Sequence, residues 1–122
     1  VKLDGPLPIR IANNMSTCEV SSNGTKRWTL DGQLHRLDGP AVEYPNGDKY
    51  WFYHGQFHRE SNPAIECANG HKAWYLYGQR HREDGPAIEF VDGLKSWFVH
   101  GKWINCSSQE EFNRLIKLKL LW

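Results

Sequence analysis

The sequence lacks the usual marks of a stapled, membrane-bound or nucleic-acid-tracking protein. Cysteine occurs only as Cys18, Cys67 and Cys106 in 122 residues, an odd number with no C-x-x-C pair. That excludes a disulfide framework and a closed zinc site, and it predicts free thiols in a reducing compartment. Long hydrophobic runs are also missing. The one apolar stretch near the start, Leu3 to Ile11, carries two prolines and two charges, so it reads as neither a signal peptide nor a membrane span. Charge of one sign does not accumulate: 15 Lys and Arg interleave with 14 Asp and Glu, for a formal +1. No basic block is left for a nucleic-acid track or an anionic membrane surface. These absences predict a cytoplasmic protein without membrane association. The length suits a single domain with one modest core. Val1 stands where an initiator Met would be, which points to a chain trimmed at its start or lacking its first residues.

What the chain does contain is aromatic residues and glycine: six Trp, five Tyr, five Phe and eleven Gly. They are periodic. Trp28, Trp51, Trp74 and Trp97 are 23 residues apart, as are Lys26, Lys49, Lys72 and Lys95. Gly24, Gly47, Gly70 and Gly93 keep the same interval, and so do Gly32, Gly55, Gly78 and Gly101. His35-Arg36, His58-Arg59 and His81-Arg82 recur, each followed by Pro-Ala and then by Glu43, Glu66 or Glu89. The unit reads G-x-x-H-R-x-D-G-P-A-x-E-x-x-x-G-x-K-x-W, a fixed period of the kind that marks repeat architectures. The flanks depart from it. Residues 1–25 form an enlarged N-terminal cap unit, in which Leu3-Asp4-Gly5-Pro6 precedes an insertion near Ala12 to Thr17. Residues 26–103 are the repeats, and the middle one has Ser61-Asn62-Pro63 where its neighbours have Asp-Gly-Pro. Atypical end units are expected, because they shield the open ends of a stack.

Each unit reads as a hairpin. Asn23-Gly24, Asn46-Gly47, Asn69-Gly70 and Asp92-Gly93 predict type I′ turns, with strands on either side. A second turn follows at Asp31-Gly32, His54-Gly55, Tyr77-Gly78 and His100-Gly101. The expected fold is mainly β: a single-layer antiparallel sheet of roughly eight strands, made of stacked 23-residue hairpins. Alternation puts Trp28, Trp51, Trp74 and Trp97 on one face, and Thr29, Phe52, Tyr75 and Phe98 on the other. The second face is either an open aromatic binding surface or is covered by curling of the sheet.

After residue 106 the period changes. Ser108-Gln109-Glu110-Glu111 is a capping box, with Ser108 as N-cap and Glu111 reaching back. Phe112, Leu115, Ile116 and Leu120 fall on one stripe, which predicts a capping α-helix over 107–122. It either packs across the last hairpin and covers its exposed edge, or serves to form a homodimer or dock a partner.

The repeat resembles the MORN family in a divergent form. The W-x-x-G-x-x-H positions of that family match Trp28, Gly32 and His35, then Trp51, Gly55 and His58, then Trp74, Gly78 and His81. Arg36, Arg59 and Arg82 replace the glycine after His, which gives the H-R-E-D-G-P-A type seen at His81 to Ala87. The resemblance covers about 26–103. It implies hairpins stacked into a long sheet, a viral (phage or giant-virus) origin, and a role as a binding scaffold.

His35, Arg36, Asp38 and Glu43 together look like an acid/base set, but each type recurs at the same place in the next two units, with Ser61 in place of the Asp in the second. A catalytic site occurs once, whereas a motif in each unit solves a problem each unit has. We therefore expect no catalytic residues and no enzyme. The structural ladder consists of His35, His58 and His81; Arg36, Arg59 and Arg82; Glu43, Glu66 and Glu89; and the four Trp. Arg–Glu pairs should clamp each crossing loop, through the planar fork of Arg. The His rings should either hydrogen-bond the loop backbone or stack beside a Trp. Equivalent residues two strands apart lie roughly 10 Å from one another, too far for His35, His58 and His81 to share one metal. No metal and no cofactor are expected.

The favoured reading is a protein-binding module, with Phe52, Tyr75, Phe98, Tyr50, Tyr77, Trp103 and Trp122 as contact residues, since aromatic and Arg side chains dominate interfaces. The viral resemblance makes the expected partner a host enzyme or defence complex. The alternative is a module that sequesters a nucleotide or phosphate ligand, or binds nucleic acid by stacking bases on the aromatic face.

Overall fold

The computed structural model describes residues 15–118 of the chain. Leu3-Asp4-Gly5-Pro6, most of the enlarged first unit, Leu120 and Trp122 lie outside the described residues. The fold is mainly β, with fourteen short antiparallel strands and one C-terminal helix among the described residues. The strands are β1 (Thr17–Val20), β2 (Lys26–Leu30), β3 (Gln33–Leu34), β4 (Val42–Glu43), β5 (Lys49–Tyr50), β6 (Phe52–Tyr53) and β7 (Gln56–Phe57). They continue with β8 (Ile65–Glu66), β9 (Lys72–Ala73), β10 (Tyr75–Leu76), β11 (Gln79–Arg80), β12 (Ile88–Glu89), β13 (Lys95–Val99) and β14 (Lys102–Ile104). Helix α1 spans Gln109–Leu118.

The strand count exceeds eight for a local reason. Each unit makes two hairpins, and the Trp is where the chain passes from one to the other. The first hairpins form one ladder in the order β1-β2-β4-β5-β8-β9-β12-β13-β14. The second hairpins, β2–β3, β6–β7, β10–β11 and β13–β14, are joined by Gly55 N–H to the Leu34 carbonyl and Gly78 N–H to that of Phe57 (both 2.8 Å). Gly101 N–H bonds the Arg80 carbonyl in the same way, at 2.8 Å. Trp51 serves both ladders: its N–H donates to the Ala64 carbonyl at 2.7 Å, and its own carbonyl accepts from His58 N–H at 3.1 Å. Trp28 and Trp74 repeat this arrangement with Ala41 and His35, and with Ala87 and His81.

The Asn-Gly turns differ from the type I′ geometry expected of them. The Asn-Gly turns keep Asn at negative φ, and only the glycine is positive, as in Gly47 at +100°. Gly47 N–H bonds the Tyr44 carbonyl and Tyr44 N–H bonds that of Asp48, the pattern of a type I turn with a G1 bulge. The Asn side chain explains the preference. Asn46 Oδ1 accepts Asp48 N–H at 3.0 Å, and Asn23, Asn69 and Asp92 bond the same way, an Asx contact that favours the type I geometry. The second turns are the ones with two consecutive positive φ values, for example His54 at 48° and Gly55 at 81°.

Burial follows the ladder. Ala41, Ala64 and Ala87 are fully buried, next to Val42, Ala73 and Ile88. The C-terminal end has its own core of Trp97, Val99, Ile104 and Phe112, with Leu115, Ile116 and Cys106 packed on it. The helix therefore packs across the last hairpin, as expected, on its Trp face. Asn105 and Ile104 stand where Arg and His occur in earlier units, so Trp97 has no guanidinium over it, and Phe112 closes that face. Trp97 Nε1–H donates to Gln109 Oε1 at 2.7 Å. At the helix start Ser108 Oγ accepts Glu111 N–H (3.1 Å), but Glu111 reaches back to Ser107 N–H (2.9 Å), one residue beyond the expected box.

Candidate functional site

The two faces of the sheet differ in chemistry. On the Trp face, cross-strand register alternates Lys26, Glu43, Lys49, Glu66, Lys72, Glu89 and Lys95. Beside this row each Arg sits over the Trp of the preceding hairpin. The guanidinium carbon lies 3.8 Å from the ring centroid in all three pairs, Arg36–Trp28, Arg59–Trp51 and Arg82–Trp74. Nη1 of each Arg also donates to the following Pro carbonyl and to Glu43, Glu66 or Glu89, at 3.0–3.3 Å. Stacking fixes the plane of the fork and the hydrogen bonds fix its rotation, so the crossing loop is held at both ends.

The histidines hold the next unit. Nδ1 of His35, His58 and His81 accepts the backbone N–H of His54, Tyr77 and His100 respectively, at 2.9–3.0 Å. Those are the turn residues at positive φ. Their rings lie on the same imidazoles, with centroids 4.1–4.4 Å apart, so the His stacks on a turn side chain and not on a Trp. An accepting Nδ1 requires a neutral ring with its proton on Nε2. Burial lowers the pKa of all three, reinforced at His35 by His54 and at His81 by His100. Among the described residues, no group of three or more His, Cys, Asp or Glu is placed to hold a metal ion.

The opposite face carries a row of paired side chains along the second hairpins. Phe52 is in register with Phe57, Tyr75 with Arg80, and Phe98 with Trp103. Phe52 and Phe57 stack at 4.3 Å, Phe57 lies 5.1 Å from Tyr75, and Arg80 sits 5.8 Å from Tyr75 and 5.3 Å from Phe98. Tyr50 joins from the first ladder, 5.7 Å from Phe57. Burial grades along the row. Tyr50, Phe52, Tyr75 and Phe98 are half-buried, while Trp103 is 61% exposed.

The structure thus gathers Phe52, Tyr75, Phe98, Tyr50 and Trp103 on one face. Tyr77 is elsewhere, in a second turn on His58. Phe57 and Arg80 belong to the row but were not singled out from the sequence. Their signal is the spacing: a two-residue Tyr-Gly or His-Gly turn pairs residue i with i+5, which couples 52 with 57, 75 with 80 and 98 with 103.

Fold and face together define a stacked-hairpin β-repeat protein with one polar, internally clamped face and one aromatic face. No family model matches the chain, and neither a curated protein nor a solved structure does. Among the described residues no helix is long and apolar enough to cross a membrane.

Proposed function

We propose that this chain is a non-enzymatic binding scaffold that holds another protein on its aromatic face. The observation that carries this reading is the in-register row from Phe52 to Trp103, which ends in a Trp that is largely exposed. Aromatic and Arg side chains are the residues from which interface anchors are built. The Arg, His and Glu residues that resemble an acid/base set are engaged by Trp, Arg, carbonyl and turn N–H partners in their own and adjacent units, which weighs against catalysis and against a phosphate ligand at the loops. Among the described residues, the strands contribute only Arg27 and Arg80 as cations on the aromatic face, too few to follow a phosphate backbone. The viral resemblance makes a host enzyme or defence complex the expected partner.

The test is affinity capture with wild type and with Trp103→Ala, Phe98→Ala and Lys102→Ala. A stoichiometric partner retained by Lys102→Ala and lost by the two aromatic variants, all with unchanged melting temperature, supports the reading. A partner retained equally by all four proteins, or none at all, counts against it.

A further inference from the structure

The three Arg clamps differ at one edge. Arg36 Nε donates to Asp38 and Arg82 Nε to Asp84, both at 3.0 Å, in addition to the Nη1 bonds they share with Arg59. Arg59 keeps its stack on Trp51 and its Nη1 bonds to the Pro63 carbonyl and Glu66. Ser61 stands in place of the Asp, and the Nε and Nη2 of Arg59 have no acceptor among the described residues.

The next residue explains why. A Cβ at Gly39 would lie 2.8 Å from Arg36 Cζ, and one at Gly85 would lie 2.5 Å from Arg82 Cζ. The glycine lets the loop close over the fork. The middle unit has Asn62 there, and its loop takes another path, with Ser61 at a φ of 69°. A guanidinium pinned on a Trp is left with an in-plane edge facing outward. Arg59 and Ser61 line a hollow of about 360 Å³ together with Trp74, Arg82, Glu83 and Asp84.

We propose that the Nε/Nη2 edge of Arg59 is a binding site for a carboxylate supplied from outside its own unit. The sibling clamps show which group this edge takes: an Asp carboxylate oxygen on Nε, at 3.0 Å. They also set the charge balance, with two carboxylates per guanidinium in the outer units and one, Glu66, in the middle unit. Because the stack and the Nη1 bonds already fix the fork, a ligand meets little further loss of side-chain freedom. Phosphate fits less well. Glu83 and Asp84 line the same hollow beside Arg82, and their repulsion acts more strongly on a dianion than on a singly charged carboxylate. The carboxylate can be a free small acid or an Asp or Glu side chain of a protein; the recognition chemistry is the same. The inference rests on the comparison between units, independently of the aromatic face.

The experiment is ¹⁵N NMR of the Arg Nε–H groups, titrated at constant ionic strength. The probes are sodium acetate, an N-acetylated Gly-Asp-Gly amide, and sodium phosphate. A saturable shift of Arg59 with acetate or peptide, with Arg36 and Arg82 unmoved, is expected. Peptide saturating at about tenfold lower concentration than acetate assigns the site to a protein, and similar concentrations assign it to a free acid. The double variant Ser61→Asp with Asn62→Gly rebuilds Asp-Gly-Pro, and it should abolish the response while raising the melting temperature. No saturable shift, equal shifts at all three Arg, phosphate outcompeting acetate, or a response that survives the double variant would each overturn the proposal.

Discussion

A guanidinium lying on Trp74 with Nη1 shared between the Pro86 carbonyl and Glu89 depends on shape as much as on charge. Lys keeps the charge but has neither the planar face nor the fork. Arg82→Lys should therefore lower unfolding free energy by about 1–2 kcal/mol in urea titration, with the helical and strand signals of the folded state unchanged. Histidine sets a second, pH-dependent limit. The folded pKa values of His35, His58 and His81 lie below 6.5, and unfolding returns them to that value. Above about pH 6.5 both states are neutral and the histidines add no slope. Below it the unfolded chain binds protons first, so stability falls as pH drops from about 6.5 through the folded pKa values. Melting temperature should be flat from pH 8 to 7 and fall toward pH 5. His58→Gln should reduce that slope, and an unchanged slope in this variant would remove the imidazole from the explanation.

Among elements, the helix replaces what the last unit lacks. Trp97 is the one Trp of the ladder without an Arg, and it is also the most buried, at 4% exposure. Phe112, 1% exposed, is its cover. Phe112→Ala should cost about 3–5 kcal/mol, read by denaturant unfolding, and should expose Trp97 to acrylamide quenching. The existence and stripe of the helix were legible in the sequence, because Ser108, Phe112, Leu115 and Ile116 have the right spacing. So was its packing across the last hairpin; that Phe112 takes the place of a guanidinium at Trp97 was not. That required knowing that Arg sits on Trp in every other unit, a contact between hairpins that no short-range spacing encodes. The turns teach a related lesson. Asn-Gly alone favours type I′, but the Asn46 carbonyl oxygen bonding Asp48 N–H selects the bulged type I form, and the side-chain bond decides.

At the scale of the molecule, the 23-residue period carries most of the fold. It places the hairpins, the Arg–Glu neighbours and the separation of the two faces, all of which follow from register once strands alternate. The role of Trp as the point where one ladder hands over to the other was hidden, because a strand broken at Trp51 and an unbroken one have the same pattern. The aromatic row was half visible for the same reason: Phe52, Tyr75 and Phe98 stand on the pattern, and their partners Phe57 and Arg80 appear only when the second turn is a true two-residue hairpin. The departure at Ser61-Asn62 was visible as a difference, but its meaning needed the distance from Gly39 to Arg36.

The ladder order has a mechanical consequence. β1 and β14 stand at opposite ends of the stack, and the strands run across its long axis. Tension applied between these end strands therefore peels hairpins open one bond pair at a time instead of shearing whole strands together. Resistance should be low and should come in steps, since each repeat contacts only its neighbours. A single-molecule extension trace should show successive small force peaks, with releases of up to roughly 80 Å of chain for each repeat at full extension. One large cooperative rupture would show instead that the two ladders yield together.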